Sequence, residues 1–344
     1  MSAERIIGGM FGLQLGSCAR PTPAPFLRAK AVLLAYARCG LRVLVERLQS
    51  GRIWMPSYLC GVLVDALGAL RARVRFYPVN FDLKITDRVW LEEVRPGDLA
   101  VLISYFGFPC DKECATLLKE SGAWVLEDAC QALLSERVGR QSDFVLFSPR
   151  KFLGVPDGGI LVVQAEVDFG DLVIEPPPAA WWLKTLEAAV LRREFDLHGG
   201  ERRWFELFRE TDTTCPIGAY AMSELSRLLL EQAFDYEVIG RRRRENYRVL
   251  LDELGEFAVF QSLPEGVVPL GFPMRHAERD RLRQALFQKQ IYPCLHWEIR
   301  GYVPESFAES HRLASQIMTL PCDQRYDSED MRRMAALVRA AKIF

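Results

Sequence analysis

The sequence has almost no net charge: 44 lysines and arginines face 45 aspartates and glutamates in 344 residues. That balance excludes a globally basic chain that would hold nucleic acid or an anionic membrane by charge. Histidine is scarce, with four dispersed residues. Cys110 and Cys114 have one metal-ligand spacing, but no second Cys or His pair accompanies them, which excludes a structural zinc site. Nine cysteines, an odd number, are scattered through the chain. They argue against a disulfide framework and for a reducing, cytoplasmic setting. No apolar run approaches the roughly 20 residues that span a bilayer. Met1-Ser2-Ala3-Glu4-Arg5 carries an acid and leads into no apolar stretch of the signal-peptide kind. Internal repeats and low-complexity tracts are also missing.

What is present is a soluble globular composition, 49% hydrophobic and 26% charged, enough for a sizeable core. The length fits one large or two medium domains. Strand-like segments at 52–56, 73–79, 99–105, 124–127, 144–147 and 160–163 alternate with helical patterns at 29–48, 61–70 and 111–121. The run at 99–105 is apolar throughout, as for a strand buried on both faces. Such alternation predicts a mostly parallel sheet covered on both faces. Residues 1–225 read as a large α/β domain and 226–344 as a smaller one, with a strand at 267–273 and helices at 279–288 and 328–342.

The most informative stretch runs from Trp124 to Val163. An apolar strand ends in a carboxylate, Asp128, with Gln131 close behind. A second apolar strand, Phe144 to Phe147, empties into Ser148-Pro149-Arg150-Lys151, and a Gly158-Gly159 turn precedes a third. Each residue alone has an ordinary use: a carboxylate after a strand often caps a helix, and a lysine near a turn is often solvated. Together they place an acid and a lysine at the carboxyl ends of two strands. That is the pair an enzyme needs to hold pyridoxal phosphate, the lysine as Schiff-base partner of the aldehyde and the acid on the pyridinium nitrogen. The spacing allows one strand–connection–strand excursion, which returns both groups to one sheet edge. Ligands of such sheets bind beyond the carboxyl ends of the strands.

Glu127-Asp128-Ala129-Cys130-Gln131-Ala132, then Asp143-Phe144-Val145-Leu146-Phe147-Ser148-Pro149-Arg150-Lys151, then Pro156-Asp157-Gly158-Gly159 resemble the pattern of the DegT/DnrJ-type pyridoxal-phosphate-dependent sugar aminotransferases. Gly8-Gly9-Met10-Phe11, Arg52-Ile53-Trp54-Met55-Pro56-Ser57-Tyr58, Ser104-Tyr105-Phe106-Gly107 and Leu320-Pro321-Cys322 are similar to further family segments. The resemblance implies the fold-type I aminotransferase fold: a mostly parallel seven-stranded sheet sandwiched by helices, plus a smaller C-terminal α+β domain. It implies Lys151 as the Schiff-base lysine, Asp128 on the ring nitrogen, Gln131 near the ring hydroxyl and Ser148 near the phosphate. Cys39-Gly40-Leu41 sits where the family starts a helix, whose backbone N–H groups would bind the cofactor phosphate. The implied reaction moves an amino group from glutamate or glutamine to a keto sugar, nucleotide-linked, in polysaccharide or secondary-metabolite synthesis. The implied assembly is a homodimer with the active site near the subunit interface.

The chain departs from the pattern at three positions. Cys60 stands where the family often has an aromatic to stack on the cofactor, which leaves Tyr58 or Phe106 as the ring's cover. Ala219 and Ala221 stand for the Asn and Arg of the family's G-Y-N-Y-R segment. Two other chemistries stay open beside transamination: dehydratase or lyase chemistry on the same fold, and a non-catalytic binding protein. Arg150 is a candidate for phosphate or a substrate carboxylate, since its planar fork suits both. His296 is a candidate on the substrate side. The aromatic-rich region 169–216 reads mainly as core, and the run Arg241 to Arg244 as a solvated helix face.

Overall fold

The apolar runs of the first half assemble into one seven-stranded sheet. The computed structural model describes residues 5–15 and 21–341; residue 342 of the helix expected at 328–342 lies outside them. The strands are β1 (Ile7–Gly8), β2 (Ala31–Leu34), β3 (Ile53–Pro56), β4 (Val74–Tyr77), β5 (Leu99–Ile103), β6 (Trp124–Asp128), β7 (Phe144–Phe147), β8 (Gly159–Val163), β9 (Phe272–Arg275), β10 (Ile291–Tyr292) and β11 (Ile317–Leu320). The helices are α1 (Ala37–Leu48), α2 (Val62–Asp65), α3 (Lys112–Glu120), α4 (Ala179–His198), α5 (Arg203–Thr213), α6 (Glu224–Gln232), α7 (Tyr236–Leu254), α8 (Arg279–Gln288), α9 (Ala308–Gln316) and α10 (Ser328–Ala340).

The large sheet has the order β2-β8-β7-β6-β5-β3-β4. Only β8 runs against its neighbours; β7, β6, β5, β3 and β4 pair in parallel. Alternate residues feed two cores, as a pleated strand requires. Leu146 and Leu161 face the side under α1 and α3. Val145, Phe147, Ile160 and Val162 face the side under α6 and the start of α7. A third core joins β9 and β11 to α7, α8 and α10. Ile7 belongs to that core, because β1 pairs with β10. The boundary expected at 225/226 falls inside α6, whose Leu229 and Leu230 pack with the large sheet.

Local differences from the sequence reading have identifiable causes. Residues 29–48 are not one helix: Ala31–Leu34 pairs with β8 as β2, and the helix starts only at Ala37. A short apolar run is ambiguous between the two until a partner strand claims it. Residues 61–70 form one α-turn, α2, followed by the 3-10 turn Gly68–Arg73. The strand expected at 267–273 begins at Phe272, because the amides before it are used elsewhere. Val268 N–H donates to Ser135 Oγ at 2.9 Å and Leu270 N–H to the Phe106 carbonyl at 3.0 Å. Asp111 is the N-cap of α3, accepting from the Cys114 amide at 2.9 Å.

The charge run on α7 is not a uniformly solvated face. Arg243 is fully buried. It donates to the carbonyls of Pro269, Leu270 and Phe152 and to Gln324 Oε1 at 2.8–3.3 Å. Its guanidinium lies 4.3 Å from the Phe152 ring centroid. Burial pushes its pKa down to about 10. Arg241 and Arg242 are exposed and Arg244 is half-buried, so one position of the four tells the opposite story from its sequence context.

Candidate active site

β6 and β7 are neighbours in parallel, with Asp128 opposite Leu146, so both strands end at the same edge. Asp128 is the last residue of β6 and is buried. Its Oδ1 accepts from the Cys130 amide at 3.0 Å. After β7 the chain makes a 3-10 turn, Pro149–Lys151, with the Lys151 amide donating to the Ser148 carbonyl at 3.2 Å. Lys151 is half-buried, and its Nζ has no hydrogen-bond or ion-pair partner among the described residues.

The charges of Asp128 and Lys151 meet on the same two thiols. Burial pushes the Cys60 thiol up, Lys151 draws it down, and Asp128 adds to the rise. Burial pushes Cys130 well up, Asp128 reinforces this and Lys151 opposes it. The two functional groups predicted from sequence therefore share one electrostatic neighbourhood. Gln131 joins them. Its Oε1 accepts from the Phe106 amide at 2.9 Å, while its Nε2 is buried without a hydrogen-bond partner among the described residues. A buried amide nitrogen left unpaired costs on the order of 1–3 kcal/mol, and Nε2 is left able to donate to a ligand. Phe106 adopts a left-handed backbone, φ 56°, which aims its amide at Gln131. The unpaired amide, the buried carboxylate and the open amine are the donor set that a pyridoxal ring requires.

The turn that carries Lys151 is braced on both sides. Phe152 follows it, and the Phe152 carbonyl accepts from Arg243 Nη2 at 3.3 Å and Gln324 Nε2 at 2.6 Å. Arg150 precedes it, and its Nη2 donates to Asp212 Oδ1 at 2.7 Å. Its guanidinium sits 4.0 Å from the Tyr36 ring centroid. Glu127 turns to the opposite side of β6 from Asp128. It accepts from Ser104 Oγ at 2.6 Å and the Gly139 amide at 2.7 Å, and burial raises its pKa.

The phosphate-side prediction needs correction. The N-cap of α1 is Tyr36, so the open amides are at Ala37 and Arg38 rather than at Cys39-Gly40-Leu41. Cys39, Gly40 and Leu41 are buried inside the helix. A Cβ on Gly40 would come 2.7 Å from Leu146 Cδ1, so this glycine serves helix–sheet packing. The Cys39 thiol donates to the Pro216 carbonyl at 3.2 Å. The double glycine has a nearby cause: a Cβ on Gly159 would lie 2.1 Å from the Tyr36 carbonyl carbon. The pair lets β8 press against the start of α1.

Tyr58 lies in an aromatic cluster. It is fully buried, its ring 5.9 Å from Tyr105 and 5.5 Å from Trp297. Cys60 is the residue of that segment that feels Lys151 and Asp128. His296 is half-buried beside Lys151. Burial, then the Lys151 charge, pushes its pKa down to about 3, so the ring is neutral at physiological pH. Its Nδ1 pairs with Thr319 Oγ1 at 2.8 Å. Ser148 is buried and its hydroxyl makes no hydrogen bond among the described residues.

Tyr36, Arg38 and Asp212 were missed by sequence reasoning. Tyr36 and Arg38 become visible once Ala31–Leu34 is read as a strand, because a helix start then follows at once. Asp212 lies 62 residues from Arg150 on α5, and nothing local marks it. The helical hairpin α4–α5 brings it in through Trp181, which is buried against Tyr36 and donates to the Thr211 carbonyl at 2.9 Å.

The sequence model of the DegT/DnrJ/EryC1/StrS aminotransferase family matches residues 92–339, well over half of the chain. No curated protein matches it in sequence. Among solved structures it is similar to the aminotransferase TlmJ from Streptoalloteichus hindustanus, with 20% identity, TM-score 0.63 and coverage of 90% of this chain and 85% of that one. It is also similar to the sugar aminotransferase CalS13 from Micromonospora echinospora (14%, 0.62, 91% and 87%). Helicobacter pylori PseC, an aminotransferase involved in the biosynthesis of pseudoaminic acid, gives 16%, 0.65, 90% and 86%. At these identities the likeness establishes the fold.

Proposed function

Since this chain belongs to the DegT/DnrJ/EryC1/StrS aminotransferase family, whose aminotransferases depend on pyridoxal phosphate, we propose that it transfers an amino group from glutamate or glutamine to a keto sugar, nucleotide-linked. The observation that carries the reading is the convergence of Asp128, Lys151 and the unpaired Gln131 Nε2 at one sheet edge. A sugar acceptor is supported by the relatives: one structural neighbour is a sugar aminotransferase and another serves pseudoaminic acid biosynthesis. Polysaccharide or secondary-metabolite synthesis is the setting this implies.

In this reading Lys151 Nζ is the attachment point for pyridoxal phosphate, and Asp128 holds a proton at the ring nitrogen. Gln131 Nε2 would be the donor to the ring hydroxyl. When bound, the cofactor supplies an electron sink for the donor's alpha carbon. With its amine free, Lys151 Nζ would be the base that moves a proton from that carbon. Neutral His296, fixed by Thr319, offers its second nitrogen on the substrate side. Ser148 and the open amides of Ala37 and Arg38 serve the phosphate.

A homodimer is part of the proposal. Leu183 (58% exposed), Val190 (37%) and Leu197 (58%) repeat every seventh residue along α4. This apolar stripe suits a second copy laid antiparallel across Val190, which sets Lys184 near Asp196 and Glu187 near Arg193 of opposite helices. A monomer in sedimentation at micromolar concentration would remove this part.

The test of the activity is the absorbance spectrum of purified protein with added cofactor, then with glutamate and glutamine in turn. A visible-edge band that shifts to the pyridoxamine region is expected. No band after cofactor addition would overturn the reading.

A further inference from the structure

Two arginines, one from the start of α1 and one beside Lys151, are spent on a single side chain. Arg38 Nη2 and Arg150 Nη2 each donate to Asp212 Oδ1 at 2.7 Å, and Arg38 Nη1 donates to the Asp212 carbonyl at 2.9 Å. Arg38 is the second residue of α1, where backbone amides are open. Arg150 is half-buried, between the rings of Tyr36 and Phe208. Ser148, in the same turn, is a buried residue whose hydroxyl makes no hydrogen bond among the described residues. Every element of an anion site is present, and a carboxylate of the chain itself fills it.

The charges do not balance. Two guanidinium groups face one carboxylate, and Tyr36 stays neutral because burial pushes its hydroxyl up to about 12, with Arg150 opposing. A phosphate monoester dianion matches two arginines and an open helix amino end better than a carboxylate does. Asp212 is also the least committed member: its side chain is 34% exposed, against 13% for Arg38 and 18% for Arg150. Of the three it is the one with open solvent to turn into, whereas the arginines stay. A cleft lined by Tyr36, Arg150, Thr185 and Phe208 opens beside the cluster and gives an anion a route to Arg150.

The geometry points to an anion site filled from within: Arg38, Arg150 and the amino end of α1 bind a phosphate monoester, and they do so by releasing Asp212. The inference rests on the reading of Lys151 as the cofactor-bearing residue only for the identity of that monoester. Asp212 then tunes cofactor retention, holding the empty site together and competing with the phosphate.

The experiment compares wild-type protein with Asp212→Asn, and with Asp212→Ser as a second neutral variant in case one side chain impairs folding. Each is titrated by absorbance with pyridoxal phosphate and with pyridoxal, which lacks the phosphate, and by thermal melting with inorganic phosphate. The expected result is binding of pyridoxal phosphate tighter by roughly 10-fold or more in the neutral variants. Pyridoxal binding should stay unchanged, and inorganic phosphate should raise the variants' melting temperature more than the wild type's. Pyridoxal phosphate binding that is equal or weaker in folded variants, with pyridoxal binding intact, overturns the inference and leaves the cofactor reading standing. Stronger stabilisation by inorganic phosphate, with no cofactor band in any protein, upholds the anion site and removes the cofactor reading.

Discussion

The two ends of the site are built on different principles. At the proposed ring end, Asp128, Gln131 and Lys151 follow adjacent parallel strands, and two groups are left for something outside the chain: an amide nitrogen and an amine, both without a partner among the described residues. At the anion end, Arg38 and Arg150 are fully engaged, and the partner is the chain's own Asp212. The ring end waits; the anion end is satisfied. The difference follows from what each group costs when alone. An unpaired amide is a penalty of about 1–3 kcal/mol, which a fold tolerates. Two half-buried guanidinium groups side by side repel and lose hydration, and a fold supplies a counter-charge.

Variants that touch each end should separate the two designs. The largest effect is expected for Lys151→Ala. It should abolish the cofactor band and lower transamination by more than roughly 10³-fold; retained turnover would sink the assignment. Asp128→Asn removes the carboxylate proposed to keep the ring nitrogen protonated. Turnover should fall by roughly 10²-fold or more while the band persists, so binding without turnover is the signature of the ring end. The neutral Asp212 variants should show the reverse signature, tighter binding of the phosphorylated cofactor.

A further variant tests the brace on the far side of Lys151. Arg243→Met strips hydrogen bonds from the carbonyls of Pro269, Leu270 and Phe152 and leaves them buried. A loss of about 2–4 kcal/mol in chemical denaturation is expected. A loss under about 1 kcal/mol would show that Gln324, which also bonds the Phe152 carbonyl, suffices.

The smallest effect concerns His296. Its folded pKa, about 3, lies below the ordinary 6.5. Between those values the unfolded chain binds more protons, so the stability His296 contributes is full above pH about 6.5 and is lost as pH falls. His296→Asn should therefore lose less stability than wild type between pH 7 and pH 5. Parallel losses in denaturant midpoints at the two pH values would contradict this.

Much of the ring end was legible in advance because its determinants are local. Asp128 and Lys151 end two apolar runs, and the runs declare themselves as buried strands. The anion end was misread by three residues. The short run Ala31–Leu34 looks like the start of the helix that follows, and only its pairing with β8 separates the two. Cys39-Gly40-Leu41 then falls inside α1, facing the sheet. Arg243 was misread for a related reason: a four-residue basic run has no internal mark of which member turns inward, and the carbonyls that satisfy Arg243 come from segments 26 to 91 residues away. In the aromatic-rich region, Trp181 and Trp204 are core as expected, while Phe205 is 41% exposed.

The sequence by itself determined the strand–helix alternation, the α/β class and the pair of Asp128 and Lys151, since hydrophobic periodicity and strand ends are properties of neighbouring residues. Tertiary structure alone decided the counter-ion of Arg38 and Arg150, the true start of α1, the filled surroundings of Tyr58 and the burial of Arg243. Each of these depends on which distant segment arrives to supply a charge, a strand partner, a ring or a carbonyl, and no local pattern encodes that arrival.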